Sequence, residues 1–181
     1  GTSVTENAIT ITGYTAVAPT SATITIDADN SKNIFNFYYV KKNNLQYTVK
    51  YLEQGTDAEL ASPKTVQNQT FGDSVTENAI TISGYNVYGP TSATITIAEN
   101  NNVITFYYTK RTDLQYTVNY LEQGTDAVLA TAKTVGNQTF GASVSESAIA
   151  ITGYNQVAPT TKTITIDADN SNNVINFYYT K

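Results

Sequence analysis

Residues 45–97 and 114–166 align without a gap, and 38 of the 53 positions are identical. Both stretches open on nearly the same residues, LQYTVKYLEQGTDAELA from Leu45 and LQYTVNYLEQGTDAVLA from Leu114. Residues 1–41 align in the same way with 141–181, from GTSVTENAITITGY against GASVSESAIAITGY to FNFYYVK against INFYYTK. Duplication on this scale reduces the fold of the chain to the fold of one unit and the way units follow one another. The spacing is 69 residues from Leu45 to Leu114 and 71 from Gly13 to Gly84, the first copy carrying DADNSKN where the second has the shorter AENNN. A change of length tolerated there marks a surface loop.

A period near 69 residues suits an independent small domain better than a solenoid layer. The sequence therefore divides into a partial repeat at 1–44 that lacks its first β-hairpin, and complete repeats at 45–113 and 114–181. The joints KKNN (41–44) and KRTD (110–113) hold neither Gly nor Pro, which predicts limited swivelling and a semi-extended rod of beads.

Within the second copy, Leu45, Tyr47, Val49 and Tyr51 alternate with polar residues, the period of a strand with one buried face. EQGTD supplies a turn around Gly55, and AELASPKTV returns as a second strand. Ser74 and Glu77, like Ser3/Glu6 and Ser143/Glu146, fit an S-x-x-E capping box, which predicts a helix of about two turns ending before Gly84-Tyr85. The strands TITI and VITFYYTK follow, the latter with Ile104, Phe106 and Tyr108 on one face and Val103, Thr105 and Tyr107 on the other. The expected class is α+β and strand-dominated, each bead a mixed sheet with one short helix.

Composition narrows function by exclusion. Cys, His, Met and Trp are absent, which removes thiol nucleophiles, imidazole acid/base chemistry, disulfides and Cys/His metal sites. The net charge is −5 and the longest basic runs are Lys41-Lys42 and Lys110-Arg111, so neither nucleic acid nor an anionic membrane is an expected partner. No transmembrane run is present, no cofactor motif is visible, and no catalytic constellation stands out. Paired carboxylates such as Asp27/Asp29 are the residues that could do acid/base work, which needs a cleft, and the second copy lacks the pair. The chain is not expected to be an enzyme.

The quoted motifs resemble the MucBP (mucin-binding protein) repeats of Gram-positive bacterial surface proteins. YTVKYLEQGTDAELA is similar to that family's opening hairpin, and TFGDSV, the Gly84-Tyr85 pair and the closing VITFYYTK carry the rest of the resemblance. It covers the second and third copies end to end and the first from Gly1. The resemblance implies tandem ubiquitin-like β-grasp beads on the bacterial cell surface, in extracellular proteins that adhere to host or environmental surfaces. Two functions follow as expectations: a semi-rigid stalk or spacer of an adhesin or fibre, or weak multivalent modules that bind mucin and other glycans.

Candidate sites are few. Asp27, Asp29, Asp167 and Asp169 alternate oxygen ligands in a way that suits calcium, yet Asx residues are also what hairpin turns demand, and the turn reading takes precedence. Tyr38, Tyr107 and Tyr178 occupy equivalent outward positions suited to stacking on sugar rings, or to packing. Lys50 invites a Lys–Asn isopeptide bond but lies on a polar strand face, and its equivalent is Asn119. Asn68-Gln69-Thr70 and Asn137-Gln138-Thr139 fit the glycosylation sequon. Without a first hairpin, residues 34–40 of the first copy would carry an exposed sheet edge. Three readings stay open: a segment beginning at an internal point of a longer chain, an edge filled by a strand of a neighbouring molecule through self-association, or a unit phased from Gly1.

Overall fold

The computed structural model describes residues 1–181 and contains strands joined by turns, with no α-helix. The first copy supplies β1 (Ser3–Asn7), β2 (Tyr14–Ala16), β3 (Ser21–Thr25) and β4 (Tyr39–Lys41). The second supplies β5 (Leu45–Glu53), β6 (Glu59–Gln69), β7 (Ser74–Asn78), β8 (Tyr85–Tyr88), β9 (Ser92–Thr96) and β10 (Val103–Lys110). The third repeats that order as β11 (Leu114–Glu122), β12 (Val128–Gln138), β13 (Ser143–Ser147), β14 (Asn155–Gln156), β15 (Thr161–Thr165) and β16 (Val174–Thr180). The only helical pieces are 3-10 turns at Asn30–Lys32 and Asn170–Asn172.

This overturns the expected α+β class and, with no helix for a sheet to grasp, the ubiquitin-like β-grasp reading. The S-x-x-E segment is strand β7, paired antiparallel with β9 in the register Ser74↔Thr96 to Asn78↔Ser92. Its residues alternate exposed and half-buried, Val75 and Glu77 facing inward. Glu77 caps no helix: its carboxylate accepts the Tyr47 phenol and the Lys64 ammonium, each at 2.6 Å. Thr76 meets Thr94 across the pair, Oγ1 to Oγ1 at 2.7 Å. β-branched Val and Thr suit the pleated surface, and a partner strand settles the choice that the local pattern leaves ambiguous.

The larger sheets have the orders β6-β5-β10-β8 and β12-β11-β16-β14; β7/β9, β13/β15, β1/β3 and β2/β4 form two-stranded ribbons. β11 and β12 are an antiparallel hairpin, whereas β11 and β16 run parallel from Thr117↔Val174 to Glu122↔Tyr179. Extra residues bulge the edge strands: Leu45↔Gln69 is followed by Tyr47↔Val66, with Asn68 at φ 59° in the left-handed region that Asn tolerates. Pro63 also lies on β6, an edge strand where a missing N–H breaks no ladder.

The chain divides into two compact units. One comprises Gly1–Leu52, Glu59–Ala79 and Gly89–Phe106, the other Glu53–Ala58, Ile80–Tyr88 and Tyr107–Lys181. The first buries Tyr47, Val49, Tyr51, Ile97, Ile104 and Phe106; the second is centred on Leu114, Val118, Ile166, Ile175, Phe177 and Tyr179. The faces expected from alternation in β5 and β10 are therefore the ones that pack. At about 1.5–3 kcal/mol for each large apolar side chain, these aromatic and aliphatic rows are the main source of stability.

A buried Asn secures each closing strand of the two complete copies. Asn173 is fully buried: its Oδ1 accepts from Asp167 N (2.7 Å), and its Nδ2 donates to Asp167 O (3.0 Å) and Gln115 O (3.2 Å). Asn102 makes the same three bonds to Ala98 N, Ala98 O and Gln46 O. Both amide hydrogens and the carbonyl are satisfied, which a buried amide requires.

The Tyr–Glu–Lys cluster gives a pH signature. Lys64 and then Tyr47 hold the Glu77 carboxyl below its ordinary range, while Glu77 pushes both the Tyr47 phenol and the Lys64 ammonium up. Tyr116, Lys133 and Glu146 repeat the arrangement. The Glu contribution is full above an unfolded pKa of about 4.3 and is lost as pH falls through the depressed folded value. The Tyr and Lys contributions are full below about 10 and are lost as pH rises through the raised values. Urea midpoints should fall on both flanks, and Tyr47→Phe or Tyr116→Phe should each lose about 1.5 kcal/mol at neutral pH. Midpoints flat from about pH 3 to 7 would contradict this.

Candidate functional site

The DADN loops are turns closed by their own Asp side chains, the one at 167–170 also receiving Gln115 N at Asn170 Oδ1 (3.0 Å). Asp29 Oδ1 accepts Ser31 N (3.0 Å) and Ser31 Oγ (2.7 Å), and Asp27 Oδ1 accepts Asp29 N (2.9 Å). Asp167 and Asp169 repeat these bonds in the third copy. The Ser31 hydroxyl and backbone N–H hold the Asp29 carboxyl below its ordinary range. No three His, Cys, Asp or Glu side chains converge as a metal site.

The three outward tyrosines have different surroundings. Tyr38 is 71% exposed, beside the irregular segment that precedes β4. Tyr178 is half-buried, with Lys162 Nζ 5.8 Å from its ring centroid. Tyr107 is half-buried and stands in register opposite Tyr88, which is 55% exposed. Sequence reading missed Tyr88, whose strand β8 lacks a strong alternation of its own. Lys50 is exposed, while Asn119 Nδ2 donates to Asn176 Oδ1 at 2.9 Å. Asn68 and Asn137 serve left-handed positions on their strands.

The most built feature is the joint between copies, which lies inside a compact unit in both cases. Lys42 N donates to Gly13 O (2.9 Å) in the first copy, and Lys42 O accepts Phe71 N (2.8 Å) from the second. Arg111 repeats this with Gly84 O and Phe140 N, both at 2.9 Å. One linker residue is thus bonded to the copy before it and the copy after it through its own peptide groups.

The aromatic ring of the following copy then seats on the Gly-Tyr turn of the preceding one. Phe71 and Tyr14 are edge to face at 5.9 Å, and Phe140 and Tyr85 at 5.6 Å. The close approach requires glycine: Gly84 has φ +80°, and a Cβ there would lie 2.4 Å from Phe140 Cδ1. Gly13 stands in the same relation to Phe71, at 2.2 Å.

Side chains finish the two joints differently. Lys42 forms an ion pair with Glu99. Arg111 reaches Asp113 through Nε (2.9 Å) and a terminal nitrogen (3.1 Å), and donates to Ala168 O at 3.2 Å. Beside the second joint lies a shallow polar cleft of about 540 Å³, lined by Tyr85, Asn86, Arg111, Asp113, Asp167 and Asp169 among others. Arg111 holds the Asp113 carboxyl below its ordinary range.

No family model matches the chain, and no curated protein matches it. Among solved structures it is similar to the crystal structure of Mub-RV, at 12% identity, over 74% of this chain and 97% of that one, with a TM-score of 0.27. A superposition at that score fixes neither fold nor function. No helix of the chain is long and apolar enough to cross a membrane.

Gly84 and Gly153 offer an internal control on the joint. Gly153 has φ +83° and nothing within 4 Å of a built Cβ, so Gly153→Ala should lose only the backbone preference, about 1 kcal/mol. Gly84→Ala adds displacement of Phe140 and should lose about 2–4 kcal/mol by urea denaturation. Equal losses would remove the seat of Phe140 as a determinant of the joint.

Proposed function

We propose that the chain is a repeat region of an extracellular, bacterial cell-surface adhesin or fibre, in which the copies act as a semi-rigid spacer and not as a catalyst. The observation that carries this reading is the linker residue bonded on both sides. Lys42 and Arg111 leave the joint little freedom to swivel, because rotation would break two backbone hydrogen bonds and unseat a phenylalanine. The resemblance of the repeated motifs to MucBP repeats supports a surface location. Small-angle scattering tests the reading: the chain should scatter as an extended particle, and Phe71→Ala with Phe140→Ala should broaden its distance distribution. A compact globular profile for the unaltered chain would overturn the spacer role.

A second reading has its own observation. Tyr88 and Tyr107 form a cross-strand aromatic pair with one member largely exposed, a surface suited to stacking on the C–H face of a sugar. The pair belongs to the second copy, Val17 and Val157 standing at the positions equivalent to Tyr88, so avidity from such weak contacts needs an array that holds several copies of this type. Mucin binding that falls roughly five-fold in Tyr88→Ser, equivalent to about 1 kcal/mol, would favour it. Binding indifferent to that change would not.

A further inference from the structure

The loop before the closing strand is AENNN (98–102) in the second copy and DADNSNN (167–173) in the third, two residues longer. Both loops end on the buried Asn with its three bonds, so the strands on either side are held alike. What the longer loop adds is the 3-10 turn Asn170–Asn172, which lies against β11. From that turn the Asn170 carboxamide oxygen accepts Gln115 N at 3.0 Å, and Leu114 beside Gln115 is fully buried.

The second copy has no such turn, and a cleft of about 340 Å³ stands there instead, lined by Asn44, Leu45, Gln46, Thr48, Asn100 and Asn101 among others. Its lining lies wholly within the first compact unit. Leu45, the equivalent of Leu114, is only half-buried. Gln46 O accepts Asn102 Nδ2 as Gln115 O accepts Asn173 Nδ2. The N–H and C=O of one strand residue share an edge, so Gln46 N–H opens on the cleft, with no loop carboxamide to receive it. Glu99 on the rim is neutralised by Lys42. What remains is carboxamides and a hydroxyl, which both donate and accept, around an apolar floor and one unclaimed backbone donor. That set suits a neutral ligand rich in hydroxyls.

We propose that this cleft binds an N-acetylated sugar, whose acetamido group takes the place that the Asn170 carboxamide has in the third copy. The two groups are chemically alike, each an amide carbonyl on a short carbon stem. The acetamido oxygen accepts Gln46 N–H, its methyl rests on Leu45, and the ring hydroxyls meet Asn44, Thr48, Asn100 and Asn101. This adds a chemically selective contact to the glycan-binding reading and does not rest on the Tyr88/Tyr107 pair.

The test is titration of the isotope-labelled 181-residue chain with N-acetylglucosamine and, separately, with glucose, followed through amide chemical shifts. N-acetylglucosamine should give saturable shifts at Gln46 and Asn100–Asn102, in the millimolar range expected of a single sugar ring. Glucose, lacking the acetamido oxygen, should bind about ten-fold more weakly. The Gln115 amide, already bonded to Asn170, should not move. Replacing residues 98–102 by the DADNSNN of the third copy should abolish the response, and unchanged shifts along β10 would show that the replaced loop leaves the fold intact. Tyr88→Ser should leave the Gln46 response unaltered, so failure of the tyrosine reading and failure of this site are separate results. No saturation at Gln46, an equal response to glucose, or binding that survives the loop replacement would overturn the proposal.

Discussion

The rest of each complete copy depends on the parallel pairing of its first strand with its last. Parallel neighbours cannot be joined by a tight turn, so everything between them must form the crossover. In the third copy β11 and β16 meet from Thr117↔Val174 onward, and the intervening segment contributes the β13/β15 ribbon and the short strand β14 along the far side of β16. The closing strand therefore has partners on both edges and its apolar face in the core, where Ile175, Phe177 and Tyr179 are almost wholly buried. Asn173 sets the register at the entry to this pairing by binding the loop that precedes the strand and the backbone of the strand beside it.

The same logic explains why one pattern of residues yields different burial in different copies. Phe35 and Phe37 have the sequence environment of Ile175 and Phe177, yet they are half-buried. In the third copy that burial is supplied by a strand 57 residues distant, as Asn119 is from Asn176, and not by neighbours in sequence. Local folding survives this: the ribbons and the tyrosine bond to Ile9 form in the first copy as in the third. The ribbons are accordingly local structures, and the central sheet is the nonlocal one.

Strand positions and inward faces were legible because alternation in LQYTVKY and VITFYY is a property of adjacent residues. The helix was misread at SVTEN because a capping box and a short strand both place small hydroxyls and a Glu at these spacings. What decides between them is Tyr47, Lys64 and the TIT of β9, all distant in sequence. The buried Asn was visible as the residue directly before the closing strands β10 and β16, at Asn102 and Asn173, but turn chemistry accounted for it equally well. The joints were recognisable from KKNN and KRTD. Their clasp was not, since Phe71 and Phe140 lie 29 positions downstream of the linker residue each one bonds.

That clasp also suits duplication. The two joints differ at the linker residue, Lys42 or Arg111, and in the carboxylate it reaches, Glu99 or Asp113, one from the loop before a closing strand and one from the linker itself. The parts they share are backbone bonds on both sides of the linker residue, a glycine at positive φ and a phenylalanine ring over it. Peptide groups are present whatever the side chain, so the geometry of the joint needs only the Gly and the Phe to be kept. Charges around it can then vary between copies without altering how one copy follows another, which lets an array lengthen by copying while its surface diverges.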